Sequence, residues 1–194
     1  TPNTSLFSGL RKRGIPVLFL HGKYSNLPGF PSVLDDNVGG GYQLGKYLIG
    51  KGHTQIAGIF KSDDSQGPER YFGVISAMTD SQIRINDSRF CWYDTEDRKD
   101  ILSGDRLDGT KLSRFIDERL GDATALVCYN DEIAYAAIQH LLRRGRTIPE
   151  DIAVVSFDNS FYSQIGSVPI TSLGHKAPRS GIAAAELLLK MLEG

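Results

Sequence analysis

The chain has 194 residues, 40% of them apolar and 23% charged, with a net charge of −1. That is material for one domain or two small lobes with a sizeable core, and it excludes a disordered segment. The near-neutral charge gives no global footprint for nucleic acid or anionic lipid, and no apolar run approaches the about 18 residues of a membrane span.

Strand and helix signals alternate along the chain. A short helical stretch over residues 6–13 precedes an apolar, strand-like run at 15–20, and a second short strand is expected over 29–34. The next helix starts at Asp36 or Asn37, either of which can cap it, and runs to Lys51 before the stop signal of Gly52. Further strands are expected at 55–60, 89–93, 123–128, 152–157 and 170–173. Helices are expected at 66–79, 109–120, 131–144 and 179–192. Short strands that are apolar on both faces and separated by helices predict an α/β fold, a parallel sheet with helices on both faces. Residues 55–157 alone supply about four strand–helix units, enough for one lobe.

Several familiar motifs fail. Gly39-Gly40-Gly41 opens a helix but lacks the lysine and third glycine of a phosphate loop, so it reads as close packing of that helix on the sheet. The stretch 61–67 is rich in oxygens without the pattern of a calcium loop, and the four histidines have no metal spacing, so no metal or cofactor is expected. Cys91 and Cys128 sit in apolar runs and read as buried reduced thiols. With no activated nucleophile in view, enzyme chemistry has no support.

What remains is the set of polar residues that follow the strands. Ligands of parallel α/β sheets bind at the C-terminal strand ends. Lys61, Asp63, Asp64, Gln66 and Arg70 follow the strand at 55–60. Tyr93 and Asp94 end the next, then come Tyr129, Asn130, Asp131 and Glu132, then Asp158 and Asn159, then His175. Carboxylates, amides, a guanidinium and aromatic faces on one rim suit a sugar, whose hydroxyls each need a donor and an acceptor. Each residue also has a plainer reading: Asp131 or Asn130 as a helix cap, Asp158 as a turn residue, Arg70 as a surface residue, Tyr93 as core, His175 as an ordinary loop histidine.

The residues also carry a resemblance. Ile15-Pro16-Val17-Leu18-Phe19, Val33-Leu34-Asp35-Asp36, Gly52-His53-x-x-Ile56-Ala57 and Arg70-x-x-Gly73 are followed by Asn130-Asp131, the run 148–155 (IPEDIAVV) and Phe157-Asp158. In this order they resemble the effector-binding core of LacI/GalR-type bacterial transcription regulators, over essentially the whole chain. The stretches 58–67 and 128–134 are similar to the L-arabinose-responsive repressors of that family. The resemblance implies a periplasmic-binding-protein-like fold of two α/β lobes with a sugar effector, L-arabinose, in the cleft between them. It implies ligand contacts from Arg70, Asn130 and Asp158; Lys61, Gln66, Tyr93 and His175 join them on strand-end position. It implies residues 1–34 in an N-terminal lobe, 35–162 in a C-terminal lobe and 163–194 returning to the first, with crossings near Leu34 and Ser160–Ile165. It further implies a cytoplasmic homodimeric repressor, no membrane contact, and operator DNA bound through a helix-turn-helix expected to lie outside this chain, as are the last strands. The alternative is a transport-linked periplasmic sugar-binding protein of similar fold.

Overall fold

The structure, a computed structural model, describes residues 3–24, 26–103, 108–174 and 177–193, with the side chains of 177 and 178 left aside. In chain order the first elements are α1 (Thr4–Lys12), β1 (Phe19–Leu20), β2 (Ser32–Val33), α2 (Asn37–Gly50), β3 (Ile56–Lys61) and α3 (Gln66–Asp80). Then come β4 (Phe90–Tyr93), α4 (Thr95–Leu102), α5 (Lys111–Glu118), β5 (Ala125–Cys128) and α6 (Asp131–Arg143). The last are β6 (Ala153–Asp158), α7 (Tyr162–Ile165), β7 (Thr171–Gly174) and α8 (Ala177–Glu193).

The chain divides into two compact units, Thr1–Asp36 with Lys176–Gly194, and Asn37–His175. In the first, Asn3 caps α1 by accepting from the Ser5 and Leu6 amides, and β1 pairs in parallel with β2. Phe7 meets Phe19 and Phe30 edge to face, as Phe19 meets Tyr24, and Phe19 and Phe30 are tilted against each other. Both strands are two residues long, much shorter than the apolar runs that announced them.

The second unit holds a five-stranded parallel sheet in the order β4-β3-β5-β6-β7. The chain runs from β3 outward to β4, then crosses to β5 on the other side of β3, so the sheet's switch point lies between β3 and β5. Alternate residues point to opposite faces. Ala57, Ile59, Cys91 and Leu126 join a core under α5 and α6, while Ile56, Phe60, Phe90 and Val127 join one under α2 and α3. Burial on both faces is why β3 and β5 read as unbroken apolar runs.

Three sequence-based expectations are corrected. Residues 163–174 do not return to the first unit. β7 pairs with β6 in the register Val155↔Thr171 to Asp158↔Gly174, so the second unit extends to His175. The segment after Tyr93, to which the sequence reading assigns no element, contains α4, with Asp94 as its cap and Asp97 closing a capping box. The glycine run serves two surfaces instead of one. A side chain on Gly40 would meet Leu173 and Phe157 of the sheet, whereas one on Gly41 would sit 2.2 Å from the Arg70 carbonyl of α3. Gly73 answers from α3, where an added carbon would lie 2.1 Å from the Val38 carbonyl. These glycines let the α2 and α3 backbones touch.

Candidate functional site

The loop after β3 is held down on the strand it leaves. Lys61 Nζ lies 2.7 Å from Asp63 and 3.4 Å from Asp64. Asp64 accepts the Gly67 amide at the start of α3, and Asp63 accepts the Thr95 amide at the start of α4. Desolvation alone would raise the Asp63 carboxyl, but the hydrogen bonds from Lys61 and Thr95 outweigh it and hold it down at about 2. Polar groups of β3, α3 and α4 thus gather at the C-terminal edge of the sheet.

Arg70 is the centre of this edge. Gly67, Arg70, Gly73, Val74 and Ala77 form the buried stripe of α3, so the spacing that packs the helix also turns the guanidinium inward. The residue is 1% exposed. Its Nε donates to Asn37 Oδ1 (3.0 Å), Nη1 to the Tyr129 carbonyl (2.5 Å), and Nη2 to Gln66 Oε1 (3.1 Å) and Asp158 Oδ1 (3.2 Å). The guanidinium lies between two rings, 4.9 Å from Tyr129 and 4.5 Å from Phe157. A buried cation is tolerated on such terms: an opposite charge, four of its five N–H groups bonded, and aromatic faces.

Tyr129 continues the network by donating to Asp64 Oδ2 at 2.7 Å. Its burial first, and its bond to the Asp64 carboxylate second, push the phenol far above its ordinary value, so it stays a donor. Asp158 ends β6 with a φ of +96°, and Asn159 follows at +47°, both in the region that side chains usually avoid.

Of the residues expected from sequence, the structure brings Arg70, Gln66 and Asp158 into direct contact. Lys61 joins at one remove further, through Asp64 and then Tyr129. The Tyr93 ring meets Tyr129 edge-on at 6.0 Å, and its buried hydroxyl has no hydrogen-bond partner among the described residues. Asn130 sits beside this group as the cap of α6, accepting the Ile133 amide at 3.1 Å. His175 lies outside the described residues. Asp131, read as an alternative cap, instead is wholly buried and bonds Ser156 and Ser160.

Sequence reasoning missed Asn37, which it treated only as a helix start, although it grips both Arg70 and Glu69. Its signal was the glycine pattern Gly41, Gly45, Gly73, which marks two helices in backbone contact and so brings the start of α2 to Arg70. The Asp64 and Tyr129 side chains lay in the strand-end set without being singled out.

Burial pushes both cysteine thiols up, Cys91 to about 11, so neither is an ionised nucleophile at neutral pH. No cluster of three metal-ligating side chains occurs among the described residues. Alternating acids, amides, a cation and rings at a sheet's switch point form a surface that can pair the hydroxyls of a polyol and pack its C–H face.

Comparison with known proteins identifies the family. Residues 46–194 match the family described as periplasmic binding protein-like domain. The chain is 34% identical to an arabinose metabolism transcriptional repressor of Halalkalibacterium halodurans, over 99% of this chain and 49% of that protein. It spans about half the length of the curated relatives it matches. Among solved structures it is similar to the transcriptional regulator CelR in complex with cellobiose, at 26% identity and a TM-score of 0.79 over 98% of this chain and 63% of that one. A LacI transcriptional regulator from a Rhodococcus species gives 27% identity and a TM-score of 0.79, covering 100% of this chain and 68% of the other. The chain therefore belongs to the periplasmic binding protein-like domain family, in the form found in LacI-type transcription regulators.

Proposed function

We propose that this chain is the effector-binding part of a cytoplasmic transcription repressor that senses a sugar, L-arabinose. The observation that carries the reading is the buried Arg70 network, which joins Gln66, Asp158, Tyr129 and Asn37 at the sheet's switch point. The name of the Halalkalibacterium halodurans relative supports arabinose, and the cellobiose complex supports a sugar in general. Arg70, Asn130 and Asp158 hold the hydroxyls, with Lys61, Gln66, Tyr93 and His175 around them. The Asn130 oxygen is engaged in its cap, so its amide nitrogen is the group offered to ligand. The unpartnered Tyr93 hydroxyl is a further donor.

Sugar binding changes operator affinity only through a difference in affinity for two arrangements of the protein. In this reading a homodimer binds operator DNA through a region outside these 194 residues, and the sugar selects one arrangement of the pair. Nothing in the proposal requires an enzyme step, and the named relatives are regulators.

Thermal-shift and calorimetric titration of the full-length protein with a panel of pentoses and hexoses tests the proposal. L-arabinose is expected to stabilise it, and Arg70→Ala to abolish the effect. Gln66→Ala, which leaves the buried cation paired with Asp158, is expected to weaken binding about tenfold while the fold persists. Stabilisation by another sugar and not by L-arabinose would replace the ligand. Unchanged affinity in both variants would remove the Arg70 network from the site.

A further inference from the structure

An acidic residue at the first position of a helix is ordinarily solvated, where it gains from the helix dipole at no desolvation cost. Asp131 opens α6 and is wholly buried. It is not needed as a cap, because the Asn130 side chain already accepts the Ile133 amide. A buried carboxylate is retained only when donors satisfy it, and the identity of its donors indicates what it does. Oδ1 accepts the Ser156 hydroxyl, and Oδ2 accepts the Ser160 amide at 2.5 Å.

Ser156 and Ser160 stand two residues before and two residues after Asp158. One carboxylate therefore bridges both arms of the turn at the end of β6. Within that turn Asp158 and Asn159 hold φ values of +96° and +47°. Side-chain-bearing residues keep such conformations only where the surroundings over-determine them. On the inner arm, Ser156 is fixed in the buried sheet, paired with Ser172. On the outer arm, the Ser160 amide is held by Asp131, and the Asn159 amide by Ser172 Oγ at 2.8 Å. The conformation so held directs the Asp158 carboxylate to Arg70 Nη2 at 3.2 Å.

We infer that Asp131 is a positioning residue for the sugar site: its buried carboxylate clamps the 156–160 turn and thereby sets the orientation of Asp158. The inference rests on the proposal that Asp158 contacts the sugar. It adds a residue that itself touches no ligand, and it makes the start of α6 a shared support, since Asn130 and Asp131 are neighbours on one helix end.

A double-mutant cycle in the full-length protein separates positioning from simple structural support. Calorimetry with L-arabinose compares wild type, Asp131→Asn, Asp158→Asn and the double variant. Asp131→Asn keeps the shape but replaces one acceptor oxygen by a donor, and about tenfold weaker binding is expected. In the Asp158→Asn background the same change is expected to alter affinity less than twofold, because its effect passes through Asp158. Losses that multiply in the double variant, or wild-type affinity in Asp131→Asn, overturn the inference while leaving the sugar site intact. Wild-type affinity in Asp158→Asn overturns the site assignment itself. A crystal structure of Asp131→Asn gives a readout that needs no ligand: residue 158 should leave positive φ and lose Arg70, and an unchanged turn overturns the clamp. If Asp131→Asn fails to fold, Ser156→Ala removes one donor, leaves the carboxylate, and takes its place in the cycle.

Discussion

Arg70 and Asp63 show how far the surroundings of a charge decide its worth. The Arg70 guanidinium is flat, and flatness lets two rings cover it while its edge makes four directed bonds. A lysine ammonium at that point would lose both the stack and the fork. Asp63 lies at the surface, 40% exposed at its side chain, yet Lys61 and Thr95 hold its carboxyl at about 2. A carboxylate depressed in the folded state adds stability that is complete above its unfolded value, near 3.9, and is lost as pH falls towards about 2. A carboxyl-detected NMR titration of Asp63 should therefore show a midpoint near 2. A midpoint near 3.9 would mean that the loop after β3 does not make these contacts in solution. Sequence reasoning singled out Arg70, Gln66 and Asp158 by strand-end position, and the family resemblance pointed to Arg70 and Asp158 as well. It had no means of seeing that Asp131 faces inward, since a helix's first residue carries no periodicity of its own and its donors lie 25 and 29 residues away.

Between helices of the second unit, α2 and α3 approach closely enough for their backbones to touch. Adding one carbon at Gly41 would place it 2.2 Å from the Arg70 carbonyl, a backbone atom that cannot step aside without moving α3. Gly41→Ala is expected to destabilise by about 1–3 kcal/mol, despite the better helix propensity of alanine. Gly50 in the same helix meets nothing within 4 Å, so Gly50→Ala should be neutral or stabilising by up to about 1 kcal/mol. Urea denaturation of the two variants decides the matter, and equal stabilities would remove the backbone contact as a constraint. The alternation of elements in this unit was legible because each strand is buried on both faces and each principal helix has one apolar stripe. α4 escaped because its mean composition is polar and only Ile101 is buried, while its cap, Asp94, stands in the strand-end set. β1 and β2 came out short because an apolar run marks burial, whereas a strand also needs a hydrogen-bonded neighbour along its length.

At the scale of the molecule, the second unit has what independent folding requires: a contiguous segment, a five-stranded sheet, and a core on each face. A polypeptide of residues 37–175 is expected to unfold by heat in one cooperative transition, with coincident near- and far-UV circular dichroism. A molten far-UV signal without a near-UV transition would show that the core depends on the other unit. The extent of this unit was the part least visible beforehand. A four-residue strand such as β7 declares its sheet only through its partner, and the pairing with β6 is a long-range fact.

The first unit is assembled from two stretches, Thr1–Asp36 and Lys176–Gly194, and α8 packs on β2 within it. On the ribosome this imposes an order of events. β2 emerges early, but the helix that covers it is made only after the whole of Asn37–His175 has been translated. The central unit can complete its core while the opening residues still wait for that cover. A nascent chain stalled after residue 175 would thus have all five strands of the sheet while β2 still lacks α8. During synthesis, that uncovered strand is where a chaperone would engage the chain.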